Sequence, residues 1–182
     1  MFSDLQLIIL DRDGVINHDS ADYIKSADEW IPIPGSLEAI AQLNQAGFIV
    51  AIATNQSGIG RGYYSEQTLL QMHEKMDRLL APLQGRIDAI RYCPHGPDSG
   101  CACRKPNSGM IEDLMHHFEV LPQQTLVVGD AFRDIQAGKN LGCHTALVLT
   151  GKGQETKKKH QDELKDIAVF LDLQNLVDNL IK

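Results

Sequence analysis

Two aspartates separated by one arginine end a short aliphatic run near the start of the chain, in LIILDRDG. One carboxylate can attack phosphorus, and a second carboxyl group two residues along can protonate the leaving oxygen and then deprotonate water. Asp11 suits the role of nucleophile, and Asp13 suits that of general acid and base. The pair therefore predicts hydrolysis of a phosphate ester through a covalent aspartyl intermediate.

Other groups that this chemistry needs lie further along the chain. Lys105 offers an ammonium to the phosphoryl group, and the hydroxyl of Thr54 can orient its oxygens. Asp11 and Asp130 can hold a hard cation such as Mg²⁺, which keeps its other positions for water and phosphate oxygens. We therefore predict that these four residues meet at one site that depends on Mg²⁺.

Aliphatic runs alternate with helical patterns, which is typical of a parallel sheet covered by helices on both faces. Ligands of such sheets bind outside the carboxyl ends of the strands, where the candidate residues are expected to converge. The predicted strands are residues 7–10, 48–53, 87–92, 125–128 and 145–149. The predicted helices are residues 36–45, 65–80, 108–118, 133–140 and an amphipathic segment at 173–181. The first three helices begin with Ser36, Ser65 and Ser108, whose hydroxyls are expected to cap free backbone N–H groups.

The length of 182 residues fits one domain, and the predicted fold class is α/β, a doubly wound Rossmann-like parallel sheet. Residues 14–34 lack periodicity and are expected to form a flap over the end of the first strand. Residues 151–182 are expected to form a C-terminal loop and helix. The lysine-rich stretch 150–166 within this region reads equally as a solvated loop or a short exposed helix, and no function is assigned to it.

Composition and charge narrow the range of partners. Hydrophobic residues make up 43% of the chain, and no apolar run is long enough to span a bilayer. The formal net charge of −7 argues against a nucleic-acid binder and means that an anionic substrate needs local positive charge. The N-terminus MFSDLQ lacks the pattern of a secretory signal. We therefore expect a cytoplasmic monomer that acts on a small molecule, with no nucleic-acid or membrane partner.

Four soft or borderline metal ligands lie in one short stretch, CPHGPDSGCAC. It holds three of the four cysteines of the chain, and structural disulfides are rare in a reducing cytoplasm. Such a set can close a tetrahedral structural site around Zn²⁺, although a redox disulfide or a group of surface thiols remains an alternative. The predicted zinc ligands in this loop, residues 93–103, are Cys93, His95, Cys101 and Cys103.

Four motifs of the chain resemble, in order and spacing, those of the haloacid dehalogenase (HAD) superfamily of phosphohydrolases: DRDG, TNQSG, RKP and GDAFRD. The resemblance implies a HAD-like fold, with Asp11 as the phosphorylated nucleophile and Asp13 as general acid and base. It implies phosphate ligands at Thr54 and Lys105. The magnesium ligands that it implies are Asp11, Asp13, Asp130 and Asp134.

A narrower resemblance is carried by the longer stretches LDRDGVIN, ATNQSGIGRG, YCPHGPDSGCACRKPNSGM and VGDAFRDIQAG. They are similar to those of bacterial heptose bisphosphate phosphatases, a family with a zinc loop and almost no cap domain. This resemblance implies removal of the 7-phosphate from D-glycero-D-manno-heptose 1,7-bisphosphate during synthesis of the heptose precursor of lipopolysaccharide. Ala131 departs from the pattern, because some members carry lysine there, and this leaves the preferred sugar or anomer open.

The same resemblance predicts which residues line the substrate. They come from the flap, from the TNQS stretch and from the arginine before Lys105. Glycines on both sides of Arg61 also allow its loop to approach a ligand. The predicted substrate contacts are Asp19, Asp22, Asn55, Gln56, Ser57, Arg61 and Arg104.

Three rival functions remain open. The first keeps the chemistry but acts on histidinol phosphate, since the histidinol-phosphate phosphatases are relatives of the same family, or on another small phosphomonoester. The second is a phospho-aspartate receiver domain, which also gathers Asp, Thr and Lys around Mg²⁺, although an Asp-x-Asp pair favours turnover over storage of the phosphoryl group. The third is a nucleic-acid module built on the zinc loop, which lacks basic surroundings.

Overall fold

The computed structural model describes residues 4–181 and contains a six-stranded sheet with helices on both faces. The strands are β1 (Leu7–Leu10), β2 (Ile49–Asn55), β3 (Ala89–Cys93), β4 (Thr125–Gly129), β5 (His144–Val148) and β6 (Ala168–Phe170). The helices are α1 (Ser36–Gln45), α2 (Ser57–Gly60), α3 (Glu66–Leu80), α4 (Gly109–Phe118), α5 (Phe132–Lys139), α6 (Gly153–Lys159) and α7 (Leu173–Leu180). Residues 1–3 and 182 of the predicted domain lie outside the described range. Among the described residues, no helix is long and apolar enough to cross a membrane.

The sheet has the order β3-β2-β1-β4-β5-β6, and every neighbouring pair of strands is parallel. The chain builds one half of the sheet outward from β1 through β2 to β3. It then returns to the middle and builds the other half from β4. The predicted α/β doubly wound fold is confirmed, and its strand order reverses between β1 and β4, where such sheets bind ligands.

β1 contributes to both apolar cores because its side chains alternate between two buried faces. Ile8 and Leu10 pack with residues of α1, α3 and α7 on one face. Leu7 and Ile9 pack with residues of α4 and α5 on the other. All four side chains are fully buried. This packing fixes β1 in the middle of the sheet, and with it the carboxylates that follow.

The flap, residues 14–34, contains no helix and no strand of the sheet. Its far end is anchored by Trp30, which is fully buried in the core beneath α3. Lys75 of α3 donates hydrogen bonds to the carbonyl oxygens of Ala27 and Trp30, at 2.7 Å each. Because both ends of the flap are tied to the domain, its middle part can face the end of the sheet.

Several elements differ from the sequence-based prediction. β6 is short and only half-buried, and α2 has four residues, so neither has a periodic pattern long enough to be recognised. β2 extends to Asn55, so Thr54 and Asn55 are its last two residues rather than the loop after it. The lysine-rich stretch 150–166 contains α6, which agrees with its interpretation as a short exposed helix rather than as a solvated loop.

One of the three predicted serine caps forms. Ser65 Oγ accepts a backbone N–H of α3 at 3.1 Å. The hydroxyls of Ser36 and Ser108 instead donate to carbonyl oxygens of the flap, at 2.6 Å, and of α5, at 2.8 Å. These two hydrogen bonds join segments that are distant in sequence, which a local capping pattern does not reveal.

Candidate active site

The predicted site lies at the carboxyl ends of β1 and β4, where the strand order reverses. Asp11 follows β1 directly, and Asp130 follows β4 directly. Leu10 and Val128 stand opposite each other in this parallel pair, and Asp11 N donates to Val128 O at 2.9 Å. Two strands that are buried on both faces therefore hold the two carboxylates side by side.

Three carboxylates and one ammonium form the centre of the site. Asp11, Asp130 and Asp134 each offer one oxygen, and these oxygens lie within 4.8 Å of one another. Lys105 Nζ lies 3.1 Å from Asp11 Oδ1 and 2.8 Å from Asp134 Oδ1. None of the four residues is more than 5% exposed. The structure thus brings together residues from three separate segments of the chain, which follow β1, follow β4 and precede α4.

Asn55, the last residue of β2, holds the backbone of Lys105 from both sides. Lys105 N donates to Asn55 Oδ1, and Asn55 Nδ2 donates to Lys105 O, both at 3.0 Å. Lys105 Nζ also donates to the carbonyl oxygen of Ala53 at 2.6 Å. The amide of Asn55 thus positions Lys105, and its predicted contact with substrate stays a prediction.

Two glycines allow two loops to close around Asp130. A Cβ atom at Gly14 or at Gly151 would lie 2.2 Å from Asp130 Oδ2, and both residues have positive φ. Lys152 N donates to the same oxygen at 2.7 Å, and Thr150 Oγ1 donates to Gly14 O at 2.6 Å. The loop after β5 therefore covers Asp130, an approach that requires glycine at both positions.

The crowding of carboxylates changes their ionisation. Burial, together with the charges of Asp11 and Asp134, raises the pKa of Asp130 to about 8. Burial also raises the pKa of Asp11, against the lowering effect of Lys105. Burial lowers the pKa of Lys105, but Asp11 and Asp134 outweigh it, so that the net pKa is raised. One ammonium does not neutralise three buried carboxylates, and a hard divalent cation fits this donor set.

We expect the affinity for Mg²⁺ to rise by at least about tenfold between pH 6 and pH 8, because the cation must displace the proton that Asp130 holds. The relevant pKa of Asp130 is about 8. Isothermal titration calorimetry at the two pH values measures this difference. Asp130→Asn, which has no proton to displace, should bind Mg²⁺ weakly and with little dependence on pH.

The proton held by Asp130 also makes the stability of the folded protein depend on pH. Because the pKa of Asp130 is raised in the folded state, the metal-free protein loses stability as the pH rises from the ordinary carboxyl value of 3.8 towards 8. Added Mg²⁺ should therefore raise the melting temperature more at pH 8 than at pH 6. Equal affinities and equal shifts at the two pH values would contradict a proton held in the cluster.

The carboxylate of Asp13 lies in a separate network. Arg12 Nη2 lies 2.9 Å and 3.1 Å from the two Asp13 oxygens, and Asn17 Nδ2 donates to Oδ1 at 2.8 Å. Burial pushes the pKa of Asp13 upwards, but Arg12 and the hydrogen bonds from Asn17 and Gln56 outweigh it and lower the pKa. These neighbours hold both carboxylate oxygens of Asp13. The cluster of Asp11, Asp130 and Asp134 does not include Asp13, contrary to the prediction that all four bind Mg²⁺.

Gln56 connects Asp13 to Thr54. Its Nε2 donates to Asp13 Oδ2 and to Thr54 Oγ1, both at 2.9 Å. Its Oε1 accepts from Tyr64 Oη at 2.5 Å and from Arg12 Nη2 at 3.2 Å. Both donors and the acceptor of this amide are engaged. The side chain of Gln56 orients the carboxylate of Asp13 and the hydroxyl of Thr54, and its predicted contact with substrate stays a prediction.

A cavity of about 230 Å³ opens beside these groups. The side chain of Asp22 is exposed and lines a separate surface cavity. A turn in which Tyr23 N donates to Ser20 O, at 3.2 Å, carries Asp22 away from the site, contrary to its prediction as a substrate contact. The predicted substrate contacts that do line the active-site cavity are Asp19, Asn55, Gln56, Ser57, Arg61 and Arg104.

The cavity wall also includes polar side chains that are absent from the predicted site, among them Tyr64, Arg133 and Lys152. Lys152 Nζ lies 2.9 Å from Asp19 Oδ2 and so links the loop after β5 to the flap. Lys152 follows β5 and Arg133 follows β4, so the rule that ligands bind at the carboxyl ends of strands points to both. For Lys152 this signal is masked by the lysine-rich sequence around it. Tyr64 carries no such signal.

The four predicted zinc ligands converge at the end of β3. Cys93 Sγ lies 3.6 Å from Cys101 Sγ and 3.0 Å from Cys103 Sγ. His95 Nδ1 lies 3.6 Å from Cys93 Sγ and 3.4 Å from Cys103 Sγ. The cysteines are free, and these separations exceed the roughly 2.05 Å of a disulfide. Zn–S bonds of about 2.3 Å in a tetrahedron place ligand atoms about 3.8 Å apart, so the donor set fits zinc.

The zinc loop, residues 93–103, is connected to the candidate active site through its own hydrogen bonds. Arg104 Nη1 donates to the carbonyl oxygen of His95 at 3.1 Å. Ser99 Oγ donates to Cys101 Sγ at 3.2 Å and lowers the pKa of this thiol to about 6, which favours the thiolate that binds metals. Arg104 and Lys105 follow the loop directly: Arg104 lines the active-site cavity, and Lys105 Nζ pairs with Asp11 and Asp134.

Comparisons with known proteins agree with this geometry. A HAD-hydrolase-like family model matches residues 102–176. The D-glycero-beta-D-manno-heptose-1,7-bisphosphate 7-phosphatase of Neisseria meningitidis serogroup B is 53% identical over 92% of this chain and 90% of its own. The enzyme of the same name from Pseudomonas putida is 49% identical over 97% of this chain and 100% of its own.

A solved structure shares the whole architecture. The D,D-heptose 1,7-bisphosphate phosphatase of Bordetella bronchiseptica, crystallised with magnesium and phosphate, has a TM-score of 0.93 and 49% sequence identity. The match covers 97% of this chain and 98% of that one. With this similarity over nearly its full length, the chain belongs to the D-glycero-beta-D-manno-heptose-1,7-bisphosphate 7-phosphatase family of HAD-like hydrolases.

Proposed function

We propose that this protein is a Mg²⁺-dependent phosphatase that removes the 7-phosphate of D-glycero-D-manno-heptose 1,7-bisphosphate, in the synthesis of the heptose precursor of lipopolysaccharide. The observation that carries the proposal is the buried cluster of Asp11, Asp130, Asp134 and Lys105 beside an open cavity. The names of relatives that share about half of the sequence supply the sugar. Both arguments agree on a phosphomonoester as substrate.

The first chemical step uses both aspartates of the DRDG motif. Asp11 attacks the phosphorus of the 7-phosphate and forms an aspartyl phosphate while the sugar oxygen leaves. A phosphoryl dianion bound beside Asp13 adds a like charge, which raises the pKa of Asp13 above its low value in the free site. Asp13 can then carry the proton that the leaving oxygen takes up.

The second step hydrolyses the intermediate. Asp13, now a carboxylate oriented by Arg12, Asn17 and Gln56, removes a proton from water, which attacks the aspartyl phosphate. Inorganic phosphate leaves and Asp11 is regenerated. Asp13 is thus acid in the first step and base in the second.

The remaining groups balance charge. Lys105 stabilises the negative charge of the transferring phosphoryl group, and the hydroxyl of Thr54 orients one of its oxygens. Asp11, Asp130 and Asp134 would hold Mg²⁺, which when bound supplies further positive charge to the phosphoryl oxygens. The solved structure of the Bordetella bronchiseptica enzyme, which contains magnesium and phosphate, supports magnesium as the cation.

Zinc has a structural role in this proposal. Cys93, His95, Cys101 and Cys103 would form a closed site with no position left for substrate. The loop that they fold presents Arg104 to the cavity, where this residue, with Asp19, Ser57 and Arg61, would contact the sugar or its second phosphate. Thiols of this kind stay reduced in the cytoplasm, which we propose as the working compartment of a monomeric enzyme.

A comparison of three substrates tests the proposal. We expect kcat/KM for heptose 1,7-bisphosphate to exceed that for fructose 1,6-bisphosphate and for histidinol phosphate by at least about 100-fold, since several polar contacts to the leaving group are lost with each alternative. Phosphorus NMR of the product identifies the phosphate removed. A preference for histidinol phosphate, or loss of the 1-phosphate, would contradict the proposed function.

A further inference from the structure

The loop that joins β5 to α6 begins the lysine-rich stretch for which the mechanism has no use. Residues 150–152 of this loop, which we call the clasp, are Thr150, Gly151 and Lys152. Their hydrogen bonds and their ion pair reach two residues of the flap and one member of the cluster of three carboxylates: Gly14, Asp19 and Asp130. The clasp thus joins the flap to a residue that would hold Mg²⁺.

The contact of the clasp with Asp130 is made by a backbone group. Lys152 N donates to Asp130 Oδ2 at 2.7 Å, and Asp130 is only 1% exposed. A hydrogen bond to a buried carboxylate is stronger than one between neutral groups, because the acceptor carries charge and has lost its contact with water. Since Oδ2 is held in this way, the clasp determines the orientation of the whole carboxylate.

The clasp is itself held by contacts that do not involve Asp130. Thr150 Oγ1 donates to the carbonyl oxygen of Gly14, the first residue of the flap, at 2.6 Å. Gly153 N donates to Thr150 O at 2.8 Å. A Cβ atom at Gly151 would lie 2.6 Å from the Cα atom of Gly14, so the two backbones pack directly against each other. The clasp therefore has a fixed shape that does not depend on a bound cation.

The ammonium of Lys152 makes a weaker contact than the backbone of the same residue. Its Nζ lies 2.9 Å from Asp19 Oδ2, but the lysine side chain is 50% exposed. Exposed ion pairs contribute little, because water screens their charges. Arg133 also attracts Asp19 and so shares this carboxylate with Lys152. We therefore expect the charge of Lys152 to matter less than its N–H group.

We propose that Lys152 is a positioning residue of the magnesium site, which acts on Asp130 through its backbone N–H rather than through its charge. The clasp holds this carboxylate in the direction that a cation shared with Asp11 and Asp134 requires. Carboxylates that bind metals are themselves hydrogen-bonded, and loss of such a partner typically weakens metal binding by about 10- to 100-fold. The inference rests on the proposed function, because it takes Asp130 as a ligand of Mg²⁺.

Two substitutions at position 152 separate the backbone group from the charge. Lys152→Met removes the ammonium and keeps the N–H, whereas Lys152→Pro removes both. The φ of −88° at this position is close to the value that proline requires. Isothermal titration calorimetry at one pH measures the dissociation constant of Mg²⁺. We expect this constant to rise by less than about threefold in Lys152→Met and by about 10- to 100-fold in Lys152→Pro.

Activity measured at increasing concentrations of Mg²⁺ provides a second readout. If Lys152 acts only by positioning a metal ligand, Lys152→Pro should need at least about 10-fold more Mg²⁺ for half-maximal activity. Its kcat at saturating Mg²⁺ should stay within about threefold of the wild type. A loss of kcat that saturating Mg²⁺ does not restore would overturn the inference, because it would show damage to the catalytic groups themselves.

Thr150→Val tests the clasp without a proline. It removes the hydrogen bond to Gly14 at nearly constant volume and keeps every backbone N–H, and we expect the dissociation constant of Mg²⁺ to rise by about 3- to 10-fold. Gln154→Pro is the matched control for proline, because Gln154 is exposed and lies in the first turn of α6, where proline is tolerated. Lys158→Met, at an exposed position of the same helix, is the control for charge. Both controls should keep the wild-type constant.

Equal dissociation constants in Lys152→Met and Lys152→Pro would overturn the inference, and so would an unchanged constant in Thr150→Val. If Lys152→Pro does not fold, Thr150→Val alone decides. A wild-type protein that binds no Mg²⁺ would overturn the proposed function together with this inference. Equal constants in the two Lys152 variants of a protein that binds Mg²⁺ and hydrolyses the heptose bisphosphate would overturn the inference alone.

Discussion

Asp11→Asn should lower kcat by at least about ten-thousand-fold, because the amide cannot attack phosphorus and the covalent intermediate cannot form. The substitution is nearly isosteric, and Asp11 lies at the end of a strand whose four residues are fully buried, so the fold should persist. Removing one of three crowded carboxylates relieves repulsion, and the melting temperature of the metal-free protein should not fall. Single-turnover measurement of phosphate release, with isotope-labelled substrate to trap phosphoprotein, gives the result.

A matched control makes this experiment specific. Asp28 is an exposed flap residue, and Asp28→Asn changes the same functional group away from the cavity. We expect it to retain full activity. Phosphoprotein in the wild type and none in Asp11→Asn would support the nucleophile assignment. Single-turnover activity of Asp11→Asn within about tenfold of the wild type would exclude Asp11 as the nucleophile.

The sequence predicted the centre of this site well because each of its parts depends on local pattern. A short aliphatic run followed by Asp11 predicts a buried strand with a carboxylate at its end, and β1 spans the predicted residues. Asp130 follows β4 in the same way. Parallel pairing of these strands then brings the two carboxylates together without further information from the sequence.

Roles that depend on contacts distant in sequence were not predictable in this way. Asn55 and Gln56 belong to the same motif as Thr54, and the motif suggests substrate contacts for all of them. The structure shows that Asn55 holds the backbone of Lys105 and that Gln56 orients Asp13, across separations of 50 and 43 residues. A polar side chain at the end of a strand can face a ligand or a neighbouring loop, and only the packed structure decides between them.

Cys101→Ala should abolish binding of zinc and lower kcat/KM by about 10- to 100-fold, which is the size of effect usual for residues that orient a reacting group indirectly. With one ligand missing, the tetrahedral site stays open, and the loop from Cys93 to Cys103 loses its main source of order. Arg104 would no longer be held at the cavity. We expect zinc content, by plasma emission spectroscopy, to fall from about one per chain to below about 0.1, together with a lower melting temperature.

Activity should fall without vanishing, because Lys105 does not depend on zinc alone. Its backbone is held by two hydrogen bonds from Asn55 in β2, and its ammonium by Asp11 and Asp134. Cys143→Ala is the matched control, since Cys143 is a buried thiol outside the cluster and should keep both zinc and activity. If the wild-type protein contains no zinc and all four of its thiols can be titrated, the metal site is excluded. If Cys101→Ala lacks zinc but keeps an unchanged kcat/KM, the zinc loop does not contribute to the active site. A partial loss of kcat/KM that is proportional to the loss of zinc is the result expected if the metal acts by placing Arg104 at the cavity.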